Sequence, residues 1–378
     1  MIDSKHIGLL IISLLLAISC KKVENTTHSI PLIIGSYTQK EAHVDGKGKG
    51  IYIFTFDTLR GTAKFKGLQD DISNPSYVAT KGRDVFAVSE QANGQLMSYV
   101  FNEEKYALDR TDQISSYGGY PCYVDVHPAK DLIYVANYGG GNLTAYSFLE
   151  QKLSKIWERA HHGAGKTPRQ KSPHVHMAII NPHQQNELFA VDLGIDQVKI
   201  YQQEATGIQI TDSVVLPPGS GPRHMVFHPH NERFAYVVNE LSGTVALITQ
   251  DSTGHFVYQQ NYNVLSEDRI TDDAGSAAIA ITPGGEWLFV STRGEENKIA
   301  AFRVNQLNGT LKHEKHEKSR GKTPRSIVID PSGKFLLCAN QDSDNVVVFK
   351  IDKEKGELIL QDDFKVSTPV SMAFIMKD

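Results

Sequence analysis

The sequence predicts an all-β protein, a seven-bladed β-propeller closed by pairing of N-terminal strands with the C-terminal strand. Three observations predict it. Segments of similar layout open near positions 75, 121, 173, 222, 276, 324 and 369, a repeat of 45 to 54 residues, which is the length of one blade. In most units a turn follows seven residues after the opening and leads into a short β run. No stretch of the mature chain shows the 3.6-residue period of a long helix.

The elements follow in order. The openings are Asn74-Pro75-Ser76, Tyr120-Pro121-Cys122, Ser172-Pro173-His174, Gly221-Pro222-Arg223, Gly275-Ser276-Ala277, Thr323-Pro324-Arg325 and Thr368-Pro369-Val370. Each starts a first strand. The turns His127-Pro128, His228-Pro229, Thr282-Pro283 and Asp330-Pro331 precede second strands at 132–137, 234–239, 287–292 and 335–340. Runs at 142–148, 198–202, 244–249, 298–304 and 345–351 supply third strands. At the ends, 33–37 and 51–57 read as second and third strands lacking a first, and 370–375 reads as a first strand lacking the rest. Joined, they make the seventh blade and leave the ring without an open edge.

The composition is that of an ordinary globular chain, 40% hydrophobic and 22% charged. A net charge of −4 argues against a general nucleic-acid binder. Residues 7–18 are apolar, follow Lys5 and His6, and end at Ala17-Ile18-Ser19-Cys20. The pattern resembles a bacterial lipoprotein signal, with Leu more usual where Ala17 stands. The expected organisation is a signal peptide over 1–19, a lipidated Cys20 with a flexible tether over 20–30, and one propeller domain over 31–378. This places the protein in the cell envelope, attached to membrane only through its N-terminal lipid. Cys122 and Cys338 fall in distant repeats, so no disulfide is expected between them, and no CxxC spacing signals zinc.

Starts of first strands and ends of second strands open on the same mouth of a propeller, which converts register into a candidate site. The first series reads Ser76, Cys122, His174 with His176, Arg223 with His224, Ala277, Arg325 and Val370. The unit opening at Pro173 is two residues longer before its turn, so His176 takes the register held elsewhere by Arg223 and Arg325. The second series reads Glu90, Asn137-Tyr138, Asp192, Asn239-Glu240, Thr292-Arg293 and Asn340-Gln341. Asn137, Asp192, Asn239 and Asn340 suit turn capping, whereas Glu240 and Arg293 do not. Opposite charges around a channel form a polar concave site. His127, His183, His228 and His230 belong to turns at the other end and read as structural. The basic loop over 159–171 lies on the site's side, either as a lid or as an exposed connection. Its Gly165-Lys166-Thr167 imitates a phosphate-binding loop but lacks the first glycine and a following helix.

The chain resembles the β-propeller lactonases, a family of 6-phosphogluconolactonases related to fungal carboxy-muconate lactonizing enzymes. The resemblance rests on Gly-Ser-Tyr-Thr at 35–38, Val-Ala-Asn-Tyr-Gly-Gly-Gly at 135–141, Ser-Pro-His-Val-His at 172–176, Asp-Leu-Gly-Ile-Asp at 192–196, Gly-Pro-Arg-His-Met-Val-Phe-His-Pro at 221–229, Asn-Glu-Leu at 239–241, Ser-Thr-Arg-Gly at 291–294 and Thr-Pro-Arg at 323–325. It implies His176, Arg223, Glu240 and Arg293 as catalytic residues, with His174 the alternative for the first.

The expected activity is hydrolysis of a small lactone bearing a carboxylate or phosphate, with no metal and no cofactor. Arginines would hold the substrate and the oxyanion, Glu240 or His176 would take a proton from water, and Arg325 and His174 would contact substrate. No Gly-x-Ser-x-Gly nucleophile motif is present. A cycloisomerase and a non-catalytic propeller binding carbohydrate or protein are the alternatives. A calcium-dependent propeller would need aligned rim carboxylates, which the series lacks. An envelope location also conflicts with a cytosolic phosphosugar lactone, so either the substrate is another sugar or organic-acid lactone or the family's activity does not apply to this chain.

Overall fold

The computed structural model describes residues 28–41, 44–204, 207–266 and 273–376. The expected signal peptide, Cys20 and the first part of the expected tether lie outside them. Seven four-stranded antiparallel sheets are arranged as a propeller, six of them with their strands in consecutive chain order from the channel outward and the seventh starting with the last strand of the chain. Blade 1 contains Pro75–Lys81, Asp84–Ser89, Gln95–Asn102 and Ala107–Ser115. Blades 2 to 6 span 121–160, 175–215, 222–263, 276–318 and 324–365. Blade 7 joins Pro369–Phe374 to Ser29–Ser36, Ile51–Asp57 and Thr62–Gln69.

Closure is made by Leu32 opposite Phe374 and Ile34 opposite Met372. Strand Ser29–Ser36 starts two residues before the expected domain boundary because Ser29 and Ile30 already pair with Asp57 and Phe56. Every blade also has a fourth strand that the sequence pattern does not display. Lys152–Ala160 and Leu311–Lys318 show why: most of their residues are exposed or half-exposed and many are Lys or Glu, so little apolar alternation marks them.

The second and third strands are buried on both faces, between neighbouring blades. Phe189 of blade 3 meets Phe227 and Phe256 of blade 4 edge to face, with centroids 5.0 and 5.3 Å apart. Trp287 of blade 5 donates its indole N–H to the carbonyl of Lys353 in blade 6 at 2.8 Å. Cys122 and Cys338 are both buried free thiols.

One irregularity recurs in all seven blades. Each innermost strand slips register against its neighbour near its start, between Pro75 and Tyr77, Pro121 and Tyr123, Val175 and Met177, Pro222 and His224, Ser276 and Ile279, Pro324 and Ser326, and opposite Gly35 and Ser36. Such a bulge leaves a residue unpaired and re-aims its side chain. The skipped positions include Ser76, Cys122, His176, Arg223, Ala277, Arg325 and Val370. Register is therefore broken where the first series of candidate residues stands.

Candidate active site

Two rings of residues surround one mouth of the channel. The bulged positions form the first. The second comprises the residues just after the second strands: Tyr37, Glu90, Tyr138, Leu193, Glu240, Arg293 and Gln341. Their backbone N–H groups bond to the carbonyls of Thr368, Asn74, Tyr120, His174, Gly221, Gly275 and Thr323, at 2.7 to 3.1 Å. Six of these seven acceptor residues have positive φ, His174 being the exception. For Thr323 and Thr368, at φ 58° and 44°, that conformation is strained for a β-branched residue. The hydrogen bond is repeated around the ring and holds each second-ring residue at the mouth.

Glu240 is the hub of one wall. Its Oε2 lies 3.0 Å from Arg223 Nε and 3.1 Å from an Arg293 Nη, while its Oε1 accepts from Arg169 Nη2 at 3.0 Å. The Arg223 contact is close but poorly aligned, an ion pair rather than a directed hydrogen bond. Arg223 also donates to the carbonyl of Ala277 at 2.7 Å, and Arg293 Nε to that of Gly275 at 3.0 Å. Burial pushes the Glu240 carboxyl up, but Arg293, Arg223 and Arg169 outweigh it and hold its pKa at about 2. Burial, with Arg325 and Arg293 nearby, lowers Arg223 to about 10. Glu240 is thus a fixed anion and a weak proton acceptor.

Across the channel, the Tyr37 hydroxyl donates to Glu90 Oε2, and Arg325 approaches the same oxygen no closer than 3.8 Å. The Arg325 side chain is 11% exposed and makes no hydrogen bond within the protein among the described residues. Its guanidinium lines the cavity beside Glu90 and the Tyr37 ring. His176 places Nδ1 3.7 Å from Cys122 Sγ, and burial followed by Arg223 and Arg325 pushes its pKa well below the usual histidine value. The imidazole is therefore neutral near pH 7. Burial raises the Cys122 thiol, so it too is neutral.

These residues face an inner lobe of about 490 Å³, lined by Tyr37, Glu90, Cys122, His176, Glu240 and Arg325 among others. An outer lobe of about 820 Å³ adds Asp273, Glu295, Glu296 and Thr323. Tyr138, Arg169, Glu240 and Arg293 are common to both.

The structure brings His176, Glu240, Arg293 and Arg325 to the cavity wall. Arg223 reaches Glu240 but lines neither lobe, since its side chain is 2% exposed and lies behind the carboxylate. His174 does not share a strand face with His176, because the strand begins at Val175. Its ring stacks on Tyr138 at 4.4 Å and supports that wall from behind. Asn137 and Asn239 hold their turns by bonding to Thr144 and Thr244.

Sequence reasoning placed Glu90 at the mouth without giving it a role, and singled out neither Arg169 nor Tyr37. The loop over 159–171 could have pointed to Arg169 only by its basic character. Among the described residues, no group of three or more His, Cys, Asp or Glu has a metal-ligating arrangement.

The comparisons agree with this architecture. A family model described as "Lactonase, 7-bladed beta-propeller" matches residues 31–374. The chain is 34% identical over 349 residues to a 6-phosphogluconolactonase of Bacillus subtilis, covering 90% of this chain and 97% of that one. Identity to a 6-phosphogluconolactonase of Formosa agariphila is 33% over 341 residues, covering 86% and 94%. Among solved structures, a periplasmic gluconolactonase of Pseudomonas aeruginosa superposes with a TM-score of 0.83 at 28% identity, covering 93% and 100%.

Proposed function

Since the chain belongs to the lactonase family of seven-bladed β-propellers and is on that basis a lactone hydrolase, we propose that the inner lobe is its active site and opens a sugar or organic-acid lactone without a metal. The observation that carries this reading is a neutral imidazole facing guanidinium groups across a concave wall, with the neighbouring carboxylate already committed to arginines.

In this reading Arg293 polarises the lactone carbonyl and holds the oxyanion, and Arg325 takes the substrate's carboxylate or phosphate, or hydroxyls in its place. His176 accepts a proton as water oxygen adds to the carbonyl carbon. The tetrahedral intermediate then collapses, the ring C–O bond breaks, and the imidazolium returns its proton to the departing ring oxygen, leaving a hydroxy acid. Glu240 does not take the proton, because three arginines hold it as a carboxylate of pKa about 2. It orients Arg223 and Arg293 instead.

The envelope location expected from residues 1–20 remains part of the proposal. It favours an unphosphorylated lactone, and the similarity to a protein described as a periplasmic gluconolactonase supports the same choice.

The test is proton release from gluconolactone and 6-phosphogluconolactone by residues 21–378, measured against the spontaneous rate and with Arg293→Ala alongside. Turnover on the unphosphorylated lactone, lost in the variant by about 10²- to 10³-fold, supports the reading. Rates no faster than the spontaneous reaction on both lactones would point to a binding role for the mouth or to a different lactone.

A further inference from the structure

The loop over 159–171 is a tied strap. At its start, His161 places Nδ1 2.7 Å from Asp192 Oδ2 and Nε2 2.8 Å from the Tyr201 hydroxyl, both inside blade 3. At its end the side chain of Gln170 is buried and donates to the carbonyl of Leu193 at 2.8 Å and to Asp196 Oδ1 at 2.7 Å. Gln170 Oε1 in turn accepts from the backbone N–H of Thr167 at 3.2 Å, closing the single helical turn Pro168–Gln170. Between these two fastenings only Arg169 reaches over the cavity mouth. It meets Glu240 Oε1 at 3.0 Å, Asp273 Oδ2 at 2.9 Å and the Tyr138 hydroxyl at 3.2 Å, where the two lobes join.

We propose that Arg169 is a positioning residue of the lactonase site: it holds Glu240 Oε1 from the strap, so that Oε2 stays shared between Arg223 and Arg293 and keeps Arg293 aimed at the substrate. This rests on the functional reading above. The third arginine occupies the oxygen that the other two leave free. A carboxylate held only through Oε2 can still swing about its last torsion, which is broad, and loosen its contacts with Arg223 and Arg293. The Arg169 contact removes that freedom. Because Gln170 and His161 fix the strap, Arg169 can hold Glu240 without an ordering step at each turnover. The same guanidinium, bridging to Asp273, separates the arginine-lined inner lobe from the outer lobe with its Asp273, Glu295 and Glu296.

The charged and titratable groups that act on Glu240 are Arg293, Arg223 and Arg169, with Tyr138, His224, Cys122 and Arg325 beyond them. Of the three arginines in contact, Arg169 alone is substantially exposed, at 40%, and its replacement leaves the buried Glu240 carboxylate still paired with Arg223 and Arg293. The experiment compares wild type, Arg169→Met and Arg169→Lys by carboxyl ¹³C titration of glutamate-labelled protein, with Glu240→Gln assigning the Glu240 signal, and by kcat and KM on gluconolactone.

Arg169→Met should raise the Glu240 titration by roughly one pH unit or more, as expected for losing a contacting cation. It should lower kcat by about tenfold or more with a smaller change in KM, and Arg169→Lys should recover part of both shifts. An unchanged Glu240 titration in Arg169→Met would overturn the proposal, as would a shifted titration with kcat within twofold of wild type. If wild type turns over no lactone but the titration shift is intact, the Arg169 contact stands as a structural tie and the functional reading fails instead.

Discussion

The Tyr37 hydroxyl donates a 2.8 Å hydrogen bond to Glu90 Oε2 across the seam between the closing blade and blade 1. The Arg325 guanidinium lies 5.1 Å from the Tyr37 ring centroid, so the three side chains form one wall of the inner lobe. Tyr37→Phe removes a hydrogen bond to a carboxylate and is expected to cost about 1.5–3 kcal/mol of stability. If this wall only binds substrate, KM rises while kcat is preserved, which steady-state kinetics on the best lactone reads directly.

His176→Gln should lower kcat by about 10²- to 10⁴-fold if the imidazole is the base. The sign of the pH dependence follows from its lowered pKa. Only the neutral ring accepts a proton, and burial together with Arg223 and Arg325 keeps it neutral to well below the ordinary histidine range. Wild-type kcat/KM should therefore hold its plateau below pH 6.5 before the acid limb falls. A limb at the usual histidine value would assign the proton to another group.

Glu240→Gln leaves three guanidinium groups without their shared anion, Arg223 among them with a side chain only 2% exposed. Breaking a buried ion pair on one side costs about 3–5 kcal/mol, the loss expected in urea denaturation at neutral pH. The linkage has a definite sign. The folded pKa of about 2 lies below the usual glutamate value, so Glu240 contributes its stability above about pH 4.5 and loses it as pH falls toward 2. Wild type should lose stability through that window more steeply than the variant. Parallel acid profiles would show that the arginines do not act on Glu240 in solution.

Ending the chain at Ser367 deletes Pro369–Phe374, the innermost strand of blade 7. Ser29–Ser36 then loses its channel-side partner while keeping Ile51–Asp57, presents an open edge, and the ring loses the pairing between the two chain ends. Size-exclusion chromatography should show self-association, and cooperative unfolding should be lost. A monomer with native unfolding would mean that the ring holds through blade-to-blade packing alone.

Blade number, the closing pair of termini and the positions of the seven openings were legible in the chain because their signals are local. A repeat period, a turn proline and an apolar run each lie within a few residues of one another. The same signals placed Glu240, Arg293 and Arg325 at one mouth. They could not show the bulges that aim His176 and Arg325 inward, since a bulge breaks the two-residue alternation on which such reading depends.

Only the tertiary structure set Arg223 behind Glu240, turned His174 onto Tyr138, paired Tyr37 with Glu90 and carried Arg169 over the cavity. Arg169 meets residues 31, 71 and 104 positions away, and Tyr37 meets one 53 positions away. Such contacts depend on how far each blade turns the next about the ring axis. That rotation is decided by interblade packing, and no single repeat encodes it.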